Sequence, residues 1–109
     1  MAELEKRIQG DFYDILRKIE NGIVHGSISA SVEGSSDFRS GDAKCSVRVF
    51  ERYSYMGGNR CSLSVTLFQN GDEDIYLSAI SSGGSQAIFF KINTFGEEAF
   101  LDKLRDIIE

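Results

Sequence analysis

Residues 77–96 read LSAISSGGSQAIFFKINTFG. The stretch predicts a strand, a glycine hairpin, a second strand and the start of a helix. Its apolar run, Ala87–Phe90, is the densest in the chain. A strand over residues 86–92, QAIFFKI, is apolar on both faces, so it belongs inside a sheet or has its second face covered. Thr94 and Glu97 have the spacing of a capping box. The last helix is therefore expected from about Phe95 to Ile108, with Phe100, Leu101, Leu104, Ile107 and Ile108 on its apolar side.

Upstream of this stretch the period is two. Residues 74–80 set Ile75, Leu77 and Ala79 against Tyr76, Ser78 and Ile80. Asn70-Gly71 is a strong hairpin signal. Before it, residues 60–68 turn Cys61, Leu63, Val65 and Leu67 inward. Residues 43–54 turn Ala43, Cys45, Val47 and Val49 one way and Lys44, Ser46, Arg48, Phe50 and Arg52 the other. The valine side is the apolar one and is expected to face the core. Residues 34–42, GSSDFRSGD, read as a polar loop, and residues 27–33 as a strand with Ile28, Ala30 and Val32 inward.

Asp11 is placed to cap a helix. Phe12, Ile15, Leu16 and Ile19 follow at helical spacing, and Asn21-Gly22 is the expected end, with Gly22 supplying a left-handed residue. Residues 3–9, ELEKRIQ, suit a weak edge strand.

The predicted order is β-α-β-β-β-β-β-α. It describes one α+β domain over residues 1–109, with a curved antiparallel sheet of five to six strands covered on one face by two helices. Helix-grip and TATA-binding-protein-like sheets have nearly this outline. In an up-and-down meander both helices finish at the end that holds the turns at 56–59 and 81–85. Their N-termini, at Asp11 and Thr94, then share the opposite end.

The runs SSDFRSGD, RVFERYS, GGNRCSLSVTL and SAISSGGSQAIFFKINTFGEEAFLDKL resemble a family of small bacterial proteins, mostly Gram-positive, known only as a domain of unknown function. The resemblance covers nearly the whole chain. It implies a bacterial domain with no assigned activity, and it carries over no catalytic residue.

Composition narrows the chemistry. The chain has 109 residues, a net charge of −5 and a pI near 4.9, which argues against nucleic acid as a partner. The charged first seven residues do not make a signal peptide, and no apolar run reaches the ~20 residues of a spanning helix. A cytoplasmic, reduced setting without membrane contact is the expectation. The single histidine, His25, excludes a multi-histidine metal site and reads as a residue just past a helix end. Cys45 and Cys61 read as buried thiols. If the hairpin turns symmetrically about Gly57-Gly58, Cys61 faces Ser54, too far from Cys45 to bridge. Asp72-Glu73-Asp74 lacks a calcium-loop pattern and reads as a solvated turn. Ser81-Ser82-Gly83-Gly84-Ser85 resembles an anion nest but is not followed by the Gly-Lys-Ser/Thr and helix of a phosphate loop, so a hairpin is expected.

No catalytic, cofactor-binding or metal-ligating constellation emerges, and no cofactor is expected. Two surfaces are singled out. The outward sheet face gathers Lys44, Arg48, Arg52 and Arg60 with Phe50, Phe68 and Tyr76, a platform for a second copy of the chain or an acidic protein. A cavity between sheet and last helix, lined by Phe89, Phe90, Phe100 and Leu104, would instead make the chain an apolar-ligand carrier or an enzyme. A non-enzymatic binding or interaction module, self-associating through its sheet, is the leading expectation.

Overall fold

A computed structural model of the chain describes residues 1–27, 29–53, 60–83 and 90–109, with the backbone alone for 90–97. Its elements are β1 (Ala2–Ile8), α1 (Phe12–Gly26), β2 (Ser31–Ser40), β3 (Ala43–Tyr53), β4 (Arg60–Asn70), β5 (Ile75–Gly83) and α2 (Phe90–Ile108). The strands form one antiparallel sheet in the order β1-β5-β4-β3-β2. Both helices lie on the same side of it, α2 over β1, β5 and β4, and α1 beside α2 toward β3 and β2. The α+β class, the antiparallel sheet and its cover of two helices are as the sequence indicates.

Residues 3–8 of the expected strand join the sheet; Gln9 does not. β1 pairs with β5 from Ala2 opposite Ser81 to Ile8 opposite Ile75, and it forms one edge. The inward residues expected of β4 and β5 are buried: Cys61, Leu63, Val65 and Leu67, then Ile75, Leu77 and Ala79. They pack against Phe12, Leu16, Ile19 and Ile23 of α1 and Phe100, Leu101 and Leu104 of α2. Asp11 caps α1, its carboxylate accepting the Asp14 amide at 3.0 Å.

Four local expectations are corrected. First, Ser35–Ser40 is strand rather than loop: β2 runs to Ser40, and Gly41, at φ +59°, turns the chain directly into β3. β2 hides its identity because both its faces are largely exposed at an edge, so no period of two survives in it.

Second, α1 continues through Gly22 to Gly26. Gly22 is a packing position and not a stop. A Cβ there would stand 2.6 Å from Ile107 Cδ1, so only glycine lets α2 approach this closely. His25 consequently sits in the last turn of α1, exposed.

Third, Phe90–Ile92 belong to α2, and Thr94 lies inside that helix, so Thr94 and Glu97 do not cap it. The rest of the expected strand, 86–89, falls outside the described residues. The edge of β5 on which such a strand would pair is already occupied by β1. Ser81–Gly83, expected in a turn, complete β5.

Fourth, the helices are antiparallel. Gly22 meets Ile107 while Gly26 meets Lys103, so the two N-termini lie at opposite ends.

Candidate functional site

The face of the sheet turned away from the helices is set by register. Directly paired residues share a face. Val65 pairs with Arg48, Leu63 with Phe50 and Cys61 with Arg52. Since β4 buries its odd-numbered residues under the helices, β3 must turn its even-numbered ones the same way. Phe50 is fully buried, and Arg48 is only 8% exposed. The face assignment expected for β3 is therefore inverted: Ala43, Cys45, Val47 and Val49 point to the open side. Cys45 is half-buried there, while Cys61 is buried beneath the helices, so the two thiols lie on opposite faces.

Of the seven residues expected on one interaction face, four are on the helix side. Lys44 places Nζ 5.5 and 5.4 Å from the ring centroids of Phe12 and Tyr13. Arg48 donates to Glu20 at 2.7 Å, to Asp37 at 3.0 Å and to the Val47 carbonyl at 3.0 Å. Burial alone would lower the Arg48 pKa; its bonds to Glu20 and Asp37 outweigh that and raise it. The Ser46 hydroxyl and the Arg48 guanidinium hold the Asp37 carboxyl below its ordinary value. Arg52 donates to Ser27 Oγ at 2.8 Å with its guanidinium 4.3 Å from the Phe100 ring centroid, and burial pushes its pKa down. Phe50 completes the core. These cations fasten α1 to β2 and β3 and are not presented to an acidic partner.

Phe68, Tyr76 and Arg60 remain on the open face. Pairing across the five strands lays its side chains in rows. One runs Phe38, Cys45, Phe68, Tyr76, Arg7; the next runs Ser36, Val47, Thr66, Ser78, Glu5; a third runs Gly34, Val49, Ser64, Ile80, Glu3. The middle is uncharged, and Phe38, Phe68, Tyr76 and Ile80 are exposed on it. Among the described residues no element covers these rows.

Charge is confined to the border. Arg7 leans over Tyr76, 5.8 Å from the ring centroid. Beside them is a depression of about 480 Å³ whose lining includes Glu5, Lys6, Arg7, Thr66, Phe68 and Tyr76; Lys6 is ion-paired with Glu109. At the far end Arg60 pairs with Glu51 at 2.8 Å and Glu33 at 3.7 Å and lies over the Tyr53 ring. The border thus carries Glu3, Glu5, Glu33 and Glu51 against Arg7 and Arg60, an acidic excess.

The four residues expected to line a cavity under α2 divide differently. Phe100 and Leu104 are fully buried in the core. Phe89 lies outside the described residues, and of Phe90 only the helical backbone is described. Among the described residues no three of His, Cys, Asp and Glu stand together to hold a metal ion, and no helix is long and apolar enough to cross a membrane.

Reading β3 from its valines missed Cys45, Val47 and Val49 as surface residues. The corrective signal was present in the hairpin: a turn symmetric about Gly57-Gly58 already sets odd-numbered residues of β4 beside even-numbered residues of β3.

No curated protein and no solved structure matches the chain. A family model matches it over residues 1–109. The fold and its open sheet face are therefore those of a member of that family: the chain belongs to DUF6054, a family of unknown function.

Proposed function

We propose that the chain is a non-enzymatic protein-binding module, working in the cytoplasm, whose open sheet face docks an apolar segment flanked by basic residues. One observation carries this reading: exposed Phe38, Phe68, Tyr76 and Ile80 lie on a continuous uncharged surface whose border is acidic. Contiguous apolar patches ringed by polar groups are the usual form of a protein interface. The border charge selects the partner's sign and disfavours nucleic acid. The acidic partner expected from the sequence loses its support because Lys44, Arg48 and Arg52 face the helices. For an apolar-ligand carrier or enzyme built on Phe89, Phe90, Phe100 and Leu104, no observation speaks in favour.

The test uses two model amphipathic peptides of one pattern, one Leu/Lys and one Leu/Glu, titrated into the isotope-labelled protein. Shift changes centred on Thr66, Phe68, Tyr76 and Ile80 with the Leu/Lys peptide alone, and their loss in Phe68→Asp, are the expected result. Equal response to both peptides, or shifts clustered on the helices, would overturn it.

A further inference from the structure

The outer edge of β2 has one partner strand, β3, and nothing described on its other side. Between Gly34 and Ser40 its register with β3 is unbroken. Between Gly34 and Ser40 there is no proline, no lysine and no further bulge; the charges that guard this edge are Asp37 and Arg39, of opposite sign and on one face. Phe38 is 61% exposed, and Arg39 has no partner among the described residues. Asp37 is half exposed and held in position by Ser46 and Arg48.

We propose that two copies of the chain pair through this edge, β2 against β2 in antiparallel register centred on Phe38, to form a continuous ten-stranded sheet.

Backbone alternation limits the registers. The two-residue turn at Gly41-Asp42 closes on Ser40 and Ala43 as a hydrogen-bonded pair. Bonding then alternates along the strand, so Ser40, Phe38 and Ser36 are tied to β3, while Arg39, Asp37 and Ser35 present their amides and carbonyls to the free edge. A second β2 must set these odd-numbered residues opposite one another.

Charge then chooses among the registers that remain. Centring on Asp37 opposes two carboxylates, which is unfavourable. Centring on Ser36 opposes Arg39 to Glu33. Those two do not meet, because Glu33 lies at the bulge between Val32 and Gly34 and turns toward Arg60 on the open face, while Arg39 shares the helix side with Asp37. Centring on Phe38 sets Asp37 opposite the second copy's Arg39, and Arg39 opposite its Asp37. Both are hydrogen-bonding positions on the same face. The two Phe38 rings fall in the closer, non-hydrogen-bonded pair on the open face, the geometry in which cross-strand aromatics stabilise a sheet. One arrangement thus satisfies the partnerless cation, the exposed ring and the free backbone groups. It also merges two open faces into a single surface, although the pairing stands independently of what that surface binds.

Sedimentation equilibrium at about 100 µM chain should give a mass near twice the 12.1 kDa monomer. Arg39→Asp places like charges opposite each other and should restore the monomer; Asp37→Arg should do the same. An equimolar mixture of the two variants should dimerise again, since their charges complement only across the mixed pair. In a Cys45→Ser background, which removes the thiol facing position 38, Phe38→Cys should cross-link into a covalent dimer under mild oxidant. That arm does not depend on Asp37→Arg folding. A wild-type monomer at this concentration, or a dimer that survives Arg39→Asp and is broken by Phe68→Asp, would overturn the edge pairing; the latter result would assign self-association to the open face.

Discussion

Arg48 of β3 stands directly opposite Val65 of β4, and both face the helices. A guanidinium beside a buried valine is tolerated because Glu20 comes down from α1 and Asp37 across from β2 to bond it. The polar side of β3 is therefore its structural side.

This orientation makes a sharp contrast between neighbouring residues. Phe50→Ala should cost about 3–5 kcal/mol, since it empties a fully buried site. Val47→Lys, on the open face, should stay within about 1 kcal/mol. Urea unfolding of the two variants decides the matter, and equal losses would reverse the assignment of faces.

Gly22 and Gly26 should respond differently to alanine. At Gly22 the new Cβ meets Ile107 at 2.6 and 2.7 Å, deep enough in the helix contact to force repacking. A loss of about 1–3 kcal/mol is expected, exceeding any gain in helix propensity. At Gly26 the nearest atom is Lys103 Cε, at the end of a flexible chain that can swing away. Gly26→Ala should be close to neutral. Thermal melts that rank the pair the other way would refute this account of the helix contact.

Acid should act on the fastening between α1 and β2. Bonds from Ser46 and Arg48 depress the Asp37 carboxyl below 3.8 in the folded chain. A depressed carboxyl contributes stability that is present above its unfolded value and disappears as pH falls through the folded one. Asp37→Asn should thus be less stable than wild type at pH 7, and the gap should narrow below about pH 4. A gap that is constant from pH 7 to pH 3 would remove Asp37 from the acid response.

The two thiols offer a readout of the faces that leaves the sequence untouched. In the native protein a water-soluble disulfide reagent should modify Cys45 promptly and Cys61 only as fast as the chain opens. Modification of both at one rate would contradict their placement on opposite sides.

Much of this was readable beforehand. The strands of residues 60–68 and 74–80 alternate because one of their faces is buried, and the Asp11 cap and the stripe from Phe12 to Ile19 announce α1. What stayed hidden has physical causes. β2 lies at an edge with little buried on either face, so burial imprints no pattern on GSSDFRS. Gly22 looks like a helix terminus because the same residue serves a left-handed turn and a close helix contact. Phe89-Phe90 joins an apolar run too short for periodicity to separate strand from helix. On β3, two alternations compete, and the apolar one faces the open side because Phe50 and the ion-paired Arg48 fill the inward positions. The candidate site inherits that inversion: the alternation shows Phe68 and Tyr76 as surface residues, whereas it turns Val47, Val49 and Cys45 to the interior.

The strand order also imposes a sequence of events in time. β2 to β5 are consecutive hairpins whose partners lie close along the chain. β1 must wait for a partner 67 to 79 residues downstream, from Ile8 with Ile75 to Ala2 with Ser81. Closing so long a loop is entropically slow, so the meander should form first and β1 should zip onto β5 late. Pulse-labelled amides would then show β3 and β4 protected before β1. Simultaneous protection would mean that the earliest-synthesised strand is already in place when the sheet nucleates. On the expected course, the strand made before all the others of this sheet is among the last to find its neighbour.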